Sequence, residues 1–253
     1  MKKLVALGLL GCLGVAQALS IEVGGGPQVE HYRGWIQYKG NTVDIKKDLH
    51  LKDRTKYFLY LNLKHHAKLL FIPLPDVKFE YIRVNSDGTG TVNRTFTIGG
   101  VSFTVNDRVY TKFRFHQYDT LFYYTPLKLK VAKASWGFGV KVIDFYEKVT
   151  SLTTGKSESK SATVPLPYLY LGLKAKVPYL HASVEGKGIR AGGNYFYEWL
   201  AKAGVDYTFK KRFTVSLDGG YRYQRYRVDD VSDVSADVRM KGPFAALSLK
   251  VSF

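Results

Sequence analysis

The chain has 253 residues, 38 Lys and Arg against 21 Asp and Glu, a formal charge of +17, and 45% hydrophobic and 15% aromatic content. That apolar content excludes a disordered chain, because enough surface can be buried to offset chain entropy. Past the N-terminal leader no run approaches the ~18 to 20 apolar residues a membrane helix requires, and the one cysteine, Cys12, lies in the leader, which excludes a disulfide framework in the mature protein.

Residues 1–18 read as a secretory signal peptide, with Lys2 and Lys3 as the charged region, Leu4 to Val15 as the apolar stretch and Ala16-Gln17-Ala18 as the cleavage site. Leu9-Leu10-Gly11-Cys12 also resembles a lipoprotein cleavage box, but the apolar stretch continues past it. Residues 19–253 then form a single exported domain. An exported chain does not meet nucleic acid in its ordinary compartment. Its positive charge must therefore answer to anionic lipid head groups, an anionic solute, or a lumen rich in Lys and Arg.

From residue 20 onward the dominant signal is period-two alternation. It predicts ten strands, at about 20–39, 54–66, 77–95, 100–117, 134–149, 160–176, 179–191, 197–208, 213–228 and 239–253. In the second, Tyr57, Leu59, Leu61 and Leu63 share one face and Lys56, Phe58, Tyr60, Asn62 and Lys64 the other. In the fourth, Val109, Thr111, Phe113 and Phe115 oppose Tyr110, Lys112, Arg114 and His116. Trp136, Phe138, Val140 and Val142 oppose Gly137, Gly139 and Lys141, and Leu169, Leu171 and Leu173 oppose Tyr168, Tyr170, Gly172 and Lys174. Ala245, Leu247, Leu249, Val251 and Phe253 close the chain on one face.

Alternation alone also fits a soluble sandwich. These strands, however, run well beyond the usual ~5 to 6 residues and match the ~9 to 11 that cross a bilayer at a tilt. Tyr57, Tyr81, Trp136, Tyr168, Trp199, Tyr207 and Tyr221 fall near segment ends, where interfacial girdles lie. A sheet in hydrocarbon must close on itself. The fold expected is therefore all-β, a closed antiparallel transmembrane barrel of ten strands, with eight or twelve as the alternative counts. Short connections are expected at Phe71 to Asp76, Lys176 to Pro178 and Phe209 to Arg212, and longer polar ones at Asn85 to Gly90, Thr150 to Thr163 and Asp229 to Asp237. Tyr118 to Lys133 breaks the scheme as a long apolar-rich connection on the short side, readable as a short helix or as a miscount of strands.

The last 50 or so residues carry Gly219-Gly220-Tyr221-Arg222-Tyr223-Gln224, Asp229-Asp230, Ala236-Asp237, Gly242-Pro243-Phe244-Ala245 and a terminal Phe253. Earlier blocks agree: Val43-Asp44-Ile45 with Asp48-Leu49, Ile72-Pro73-Leu74-Pro75, Tyr118-Asp119 with Tyr123-Tyr124, and Val164-Pro165 before Tyr168-Leu169-Tyr170. Together they resemble a family of uncharacterised outer membrane β-barrel proteins of Gram-negative bacteria. The resemblance implies a location, the outer membrane reached through a cleaved signal peptide, and a fold, but no reaction. Leu249, Val251 and Phe253 resemble the signal by which such barrels are handed to their insertion machinery. The partners implied are that machinery, outer membrane lipids and lipopolysaccharide.

No phosphate loop, zinc-protease helix or Gly-x-Ser-x-Gly elbow occurs. Neighbouring strand residues His65 and His66 point to opposite faces and cannot share a metal; neither metal nor cofactor is expected. Parity instead places Lys64, Lys112, Arg114, Lys141, Lys174, Lys202, Arg222 and Lys250 in the lumen together with Glu80, Glu185, Asp206 and Asp218, a net-positive interior. Two readings follow: a salt-bridged structural plug, or a small pore that favours anionic solutes. The competing class is an outer membrane enzyme, protease-like or lipid A-modifying, with Asp229, Asp230, Asp233, Asp44, Asp48 and His50 at an external rim. A soluble periplasmic barrel with its apolar face inward is the third.

Overall fold

The computed structural model describes residues 19–38, 41–65, 67–69, 72–210, 212–231 and 233–253; the expected signal peptide lies outside the described residues. The strands are β1 (Ser20–Tyr38), β2 (Val43–Asp44), β3 (Arg54–Lys64), β4 (Lys68–Leu69), β5 (Ile72–Pro73), β6 (Asp76–Arg83), β7 (Asn85–Thr91), β8 (Phe96–Ile98) and β9 (Val101–Phe103). They continue with β10 (Arg108–Lys128), β11 (Ala132–Ser151), β12 (Ser157–Val177), β13 (Leu180–Ala191), β14 (Asn194–Phe209), β15 (Phe213–Val231) and β16 (Val234–Ser252). Every pairing is antiparallel, and the order β10-β11-β12-β13-β14-β15-β16-β1-β3-β6 returns to β10. The molecule is a closed antiparallel transmembrane β-barrel of ten strands. β7 continues β6 along β10 past Val84, and the seam joins the first strand to the last, with Ile21 opposite Val251 and Val23 opposite Leu249.

One wall face explains the length of the strands. Outward residues form a continuous apolar belt that includes Val23, Leu59, Phe79, Phe138, Leu169, Leu171, Leu217 and Leu247. Leu169 is 69% exposed and Leu247 60%, an arrangement that is stable only against hydrocarbon and opposite to that of a soluble barrel with an apolar interior. Among the described residues no helix is long and apolar enough to cross a membrane. Ser20 at the start of β1, Ser252 at the end of β16 and the turns after β10, β12 and β14 mark the lower rim.

Above the belt the barrel continues, and its chemistry inverts. There the interior is a core of Tyr32, Phe113, Phe115, Ile143, Phe196, Tyr226, Val238 and Met240. Residues 41–53 and 92–107 close over this core by burying Ile45, Leu49, Leu51, Val92, Phe96 and Phe103. The segment 92–107 folds into the small hairpin β8–β9, with Phe96 stacked on Phe103 at 5.3 Å, so β10 starts at Arg108 and not near 100.

Several expectations need correction. Tyr118 to Lys133 is neither a helix nor an extra pair of strands: β10 runs on to Lys128 and turns over residues 129–131 into β11. The alternation is hidden there because Leu121 and Tyr123 are apolar and inside while Tyr118, Phe122 and Tyr124 are outside. The expected long connections at 150–163 and 229–237 are mostly strand, and 85–90 lies in β7. Tyr168 is no girdle residue. It is buried and donates a hydrogen bond to Asp119.

Asp48 and Glu147 are two of the acids above the belt. Burial pushes the Asp48 carboxyl up, but Arg94, at 2.6 Å, and the Asp44 N–H, at 2.8 Å, hold it below its ordinary value. Glu147 is buried facing Lys160 across β11–β12, while the Lys160 ammonium lies 4.3 Å from the centre of the Tyr38 ring. Desolvation pushes Glu147 up to about 7 from 4.5. A raised carboxyl binds more protons folded than unfolded, so stability falls as pH rises from about 4.5 to 7, by about 3 kcal/mol in all. Glu147→Gln is expected to raise the thermal midpoint at pH 8 and leave it unchanged at pH 4; equal midpoints at pH 8 would contradict this origin.

Candidate functional site: the barrel interior

Inward positions are even on β1, β3, β6, β12, β14, β15 and β16 and odd on β10, β11 and β13, as the buried polar side chains show. Lys64, Lys141, Lys174, Lys202, Arg222 and Lys250 share the inward parity, as do Glu80, Glu185, Asp206 and Asp218. Lys112 and Arg114 do not. Both stand on the outer wall, Lys112 opposite Asp87 and Lys148, and Arg114 3.6 Å from Asp144. The reason is height: this part of β10 lies above the belt, where the outer face meets water and Phe113 and Phe115 fill the inside.

The inward residues form two layers below the apolar core. The upper layer is a dry ionic plug. Glu198 on β14 lies 2.5 Å from the Lys141 ammonium on β11, 3.8 Å from Lys187 and 3.9 Å from Arg222. Arg222 reaches Glu80 at 2.7 Å, and Lys187 reaches Asp119 at 2.7 Å. Three cations thus face three carboxylates. Gln224 donates to Glu198 at 2.7 Å and Tyr226 donates to Gln117 at 3.1 Å, knitting the network across the barrel. Lys141 is 0% exposed and Arg222 1%. Buried charges at this depth persist only when paired and hydrogen-bonded.

The lower layer is wet and positive. Lys78 pairs with Glu185 at 3.1 Å, Lys202 with Asp218 at 3.0 Å and Lys176 with Asp206 at 2.6 Å. His181 bridges Asp206, at 2.9 Å, and Asp218, at 2.6 Å. Lys64, Lys133, Lys174 and Lys250 make no ion pair with any described residue, and all four line a cavity of about 200 Å³ at the lower rim. Lys64, Lys133 and Lys174 also line a contiguous space of about 110 Å³ beneath the plug. Glu22 lines both and accepts a hydrogen bond from Tyr60 at 2.9 Å.

Sequence reading missed Lys133, because its segment read as a connection, and it missed the plug members Asp119, Lys187 and Glu198. The parity rule that found Lys141 would have found Glu198 on β14 and Lys187 on β13.

The external-rim residues are not assembled. Asp44 accepts hydrogen bonds from the Lys46 and Lys47 N–H groups at 2.8 Å, Asp48 is held by Arg94, and His50 lies 3.1 Å from the Thr91 carbonyl. Among the described residues no hydrogen bond or ion pair joins Asp229 or Asp230 to His50, and no cluster of three or more His, Cys, Asp or Glu side chains is placed to hold a metal ion. Leu249 and Phe253 lie exposed on the outer wall and lower rim, and the Phe253 N–H donates to Leu19 O at 2.9 Å.

No family model and no curated protein matches the chain. Among solved structures it is similar to the outer membrane protease OmpT of Escherichia coli, at 9% identity over 94% of this chain and 97% of that one, with a TM-score of 0.49. It is also similar to the attachment invasion locus protein Ail of Yersinia pestis, at 14% identity over 90% and 97%, TM-score 0.32. A third similar structure is Neisserial surface protein A, at 12% identity over 94% and 99%, TM-score 0.30. The architecture rests on the strand pairing, and at these identities the likeness carries nothing about activity.

Proposed function

We propose that the protein is an integral outer membrane barrel of a Gram-negative envelope, inserted through its C-terminal strand, whose interior is a blind basin. The basin opens to the periplasm and receives small multivalent anions. The carrying observation is the convergence of Lys64, Lys133, Lys174 and Lys250 on one cavity, where Asp206 and Asp218 are already held by Lys176, Lys202 and His181, so that among the described lining residues Glu22, opposite Lys250, is the one carboxylate left to offset four lysines. An even strand number, with the first strand starting and the last strand ending at the lower rim, is the topology of barrels whose strands begin and end on the periplasmic side. Four ammonium groups in a partly desolvated bowl attract an anion more strongly than they would in open water. The plug and the apolar core above it argue for a basin and against a passage.

The test uses the full barrel in neutral detergent with pyrophosphate as probe. Binding measured by calorimetry is expected to weaken at least 10-fold in Lys64→Gln/Lys174→Gln and to fall with added salt, and planar bilayers holding the wild type are expected to show no steady conductance. Steady anion-selective current would favour the pore reading instead. Unchanged pyrophosphate affinity in the double variant would remove the basin.

A further inference from the structure

The outer wall carries a second concentration of charge, and the strand register sets it out in rows. On the lowest row His31 stands opposite Lys241, Lys241 opposite Tyr223, and Tyr223 opposite Trp199. One step higher, Arg33 stands opposite Arg239, Arg239 opposite Arg225, and Arg225 opposite Tyr197. One step higher again are Trp35, Asp237, Arg227 and Tyr195, with Arg190 beyond Tyr195. Three guanidinium groups therefore project side by side from three neighbouring strands, each step about 4.8 Å.

Like charges directly opposite one another on a sheet face destabilise the pairing. The acids present do not neutralise the patch. Asp237 is engaged by Arg225, at 2.6 Å, and more distantly by Arg239, at 3.7 Å. Asp53, beside the lowest row, is taken up by His31 and Lys46. Arg33 and Lys241 form no ion pair with a described carboxylate, and Arg227 stands opposite Asp237, whose close contacts are with Arg225 and Arg239; Arg33, Arg227 and Arg239 are exposed.

The position of the patch identifies its ligand. From the arginine row downward, Tyr197 stacks on Tyr223 at 5.7 Å, Trp199 on Tyr223 at 5.9 Å and Trp199 on Tyr221 at 6.0 Å. Aromatic rings of this kind mark the level of the lipid headgroups, and the apolar belt starts below them with Ala245, Leu247 and Leu217. A guanidinium row at that height meets headgroup phosphates, whose oxygens match its fork of donors.

We propose that Arg33, Arg239, Arg227 and Lys241, with Arg225 held in place by Asp237, form a binding site on the outer wall for the phosphate groups of a phosphorylated glycolipid of the outer leaflet. The aromatic stack lies where the headgroup sugars and upper acyl carbons would pack. The site rests on the membrane placement above but is independent of the basin, which faces the other side of the wall.

Native mass spectrometry of the full barrel in neutral detergent, with bis-phosphorylated lipid A as probe, tests it. Lipid A retention is expected to fall at least 10-fold in Arg33→Gln/Arg239→Gln, and as far for the wild type when the lipid is dephosphorylated. Without lipid, the double variant is expected to unfold at no lower temperature than the wild type, because it removes the Arg–Arg contacts; added lipid A is expected to raise the wild-type midpoint and not the variant's. Lys241→Gln gives a second, milder loss should the double variant fold poorly. Equal retention of dephosphorylated lipid A, equal retention by both variants, or the same stabilisation from inorganic phosphate at matched concentration would each overturn the site. Heat-modifiable gel migration reads the membrane barrel separately, so intact migration with unchanged lipid retention defeats the patch alone.

Discussion

Glu198→Ala is expected to lower the stability of the barrel by about 3–5 kcal/mol, the cost of leaving buried charge uncompensated. Among the described residues Glu198 is the one carboxylate in contact with Lys141, Lys187 and Arg222 together. Removing it strands Lys141, whose remaining carboxylate, Asp119, is 3.4 Å away and shared with Lys187. The double change Lys141→Met/Glu198→Met is expected to recover much of the loss, because it leaves two intact pairs, Arg222 with Glu80 and Lys187 with Asp119. Urea unfolding of the refolded barrel measures both, and the coupling between the two sites separates a network from two independent contacts. A double variant no more stable than Glu198→Ala would mean that Lys141 is not held by Glu198.

Gly242→Val is expected to prevent closure. The β1–β16 seam carries Pro27 and Pro243, which offer no N–H to the ladder, and there the two backbones come closer than side chains allow. A Cβ on Gly242 would collide with the Val29 carbonyl oxygen, and one on Gly26 with that of Ala245. The obstacle in each case is backbone, which cannot rotate aside, so the cost reaches at least the ~3 kcal/mol upper range of overpacking. In hydrocarbon, parting the seam also exposes two strand edges that nothing else can pair. Loss of heat-modifiable migration in Gly242→Val would bear this out, and wild-type migration would show that the seam can yield.

The strands were legible wherever one face was polar and the other apolar within the bilayer, as in β3, β15 and β16. Reading failed on β10 for a definite reason. Its upper half is a strand in water with an apolar interior, so Phe113 and Phe115 point in and Lys112 and Arg114 out, the reverse of the membrane rule. Its lower half has Leu121 and Tyr123 inside and Phe122 and Tyr124 outside, so no alternation of polarity survives. Which inward charge meets which was not legible at all. Glu80 and Arg222 are 142 residues apart, and their meeting depends on the stagger of ten strands around a ring, which no local pattern encodes.

The height of the wall has a consequence of its own. β10, β11 and β12 are 20 or 21 residues long, about twice what a tilted bilayer crossing requires. The upper half is built like an ordinary water-soluble protein, oily within and wet without, and the lower half like its negative. Replacing lipid with detergent changes the surroundings of the lower half alone. The upper half, where β10, β11 and β12 run on paired to one another and β1, β15 and β16 likewise, keeps its own surroundings and its strand register while the solvent around the other half is exchanged.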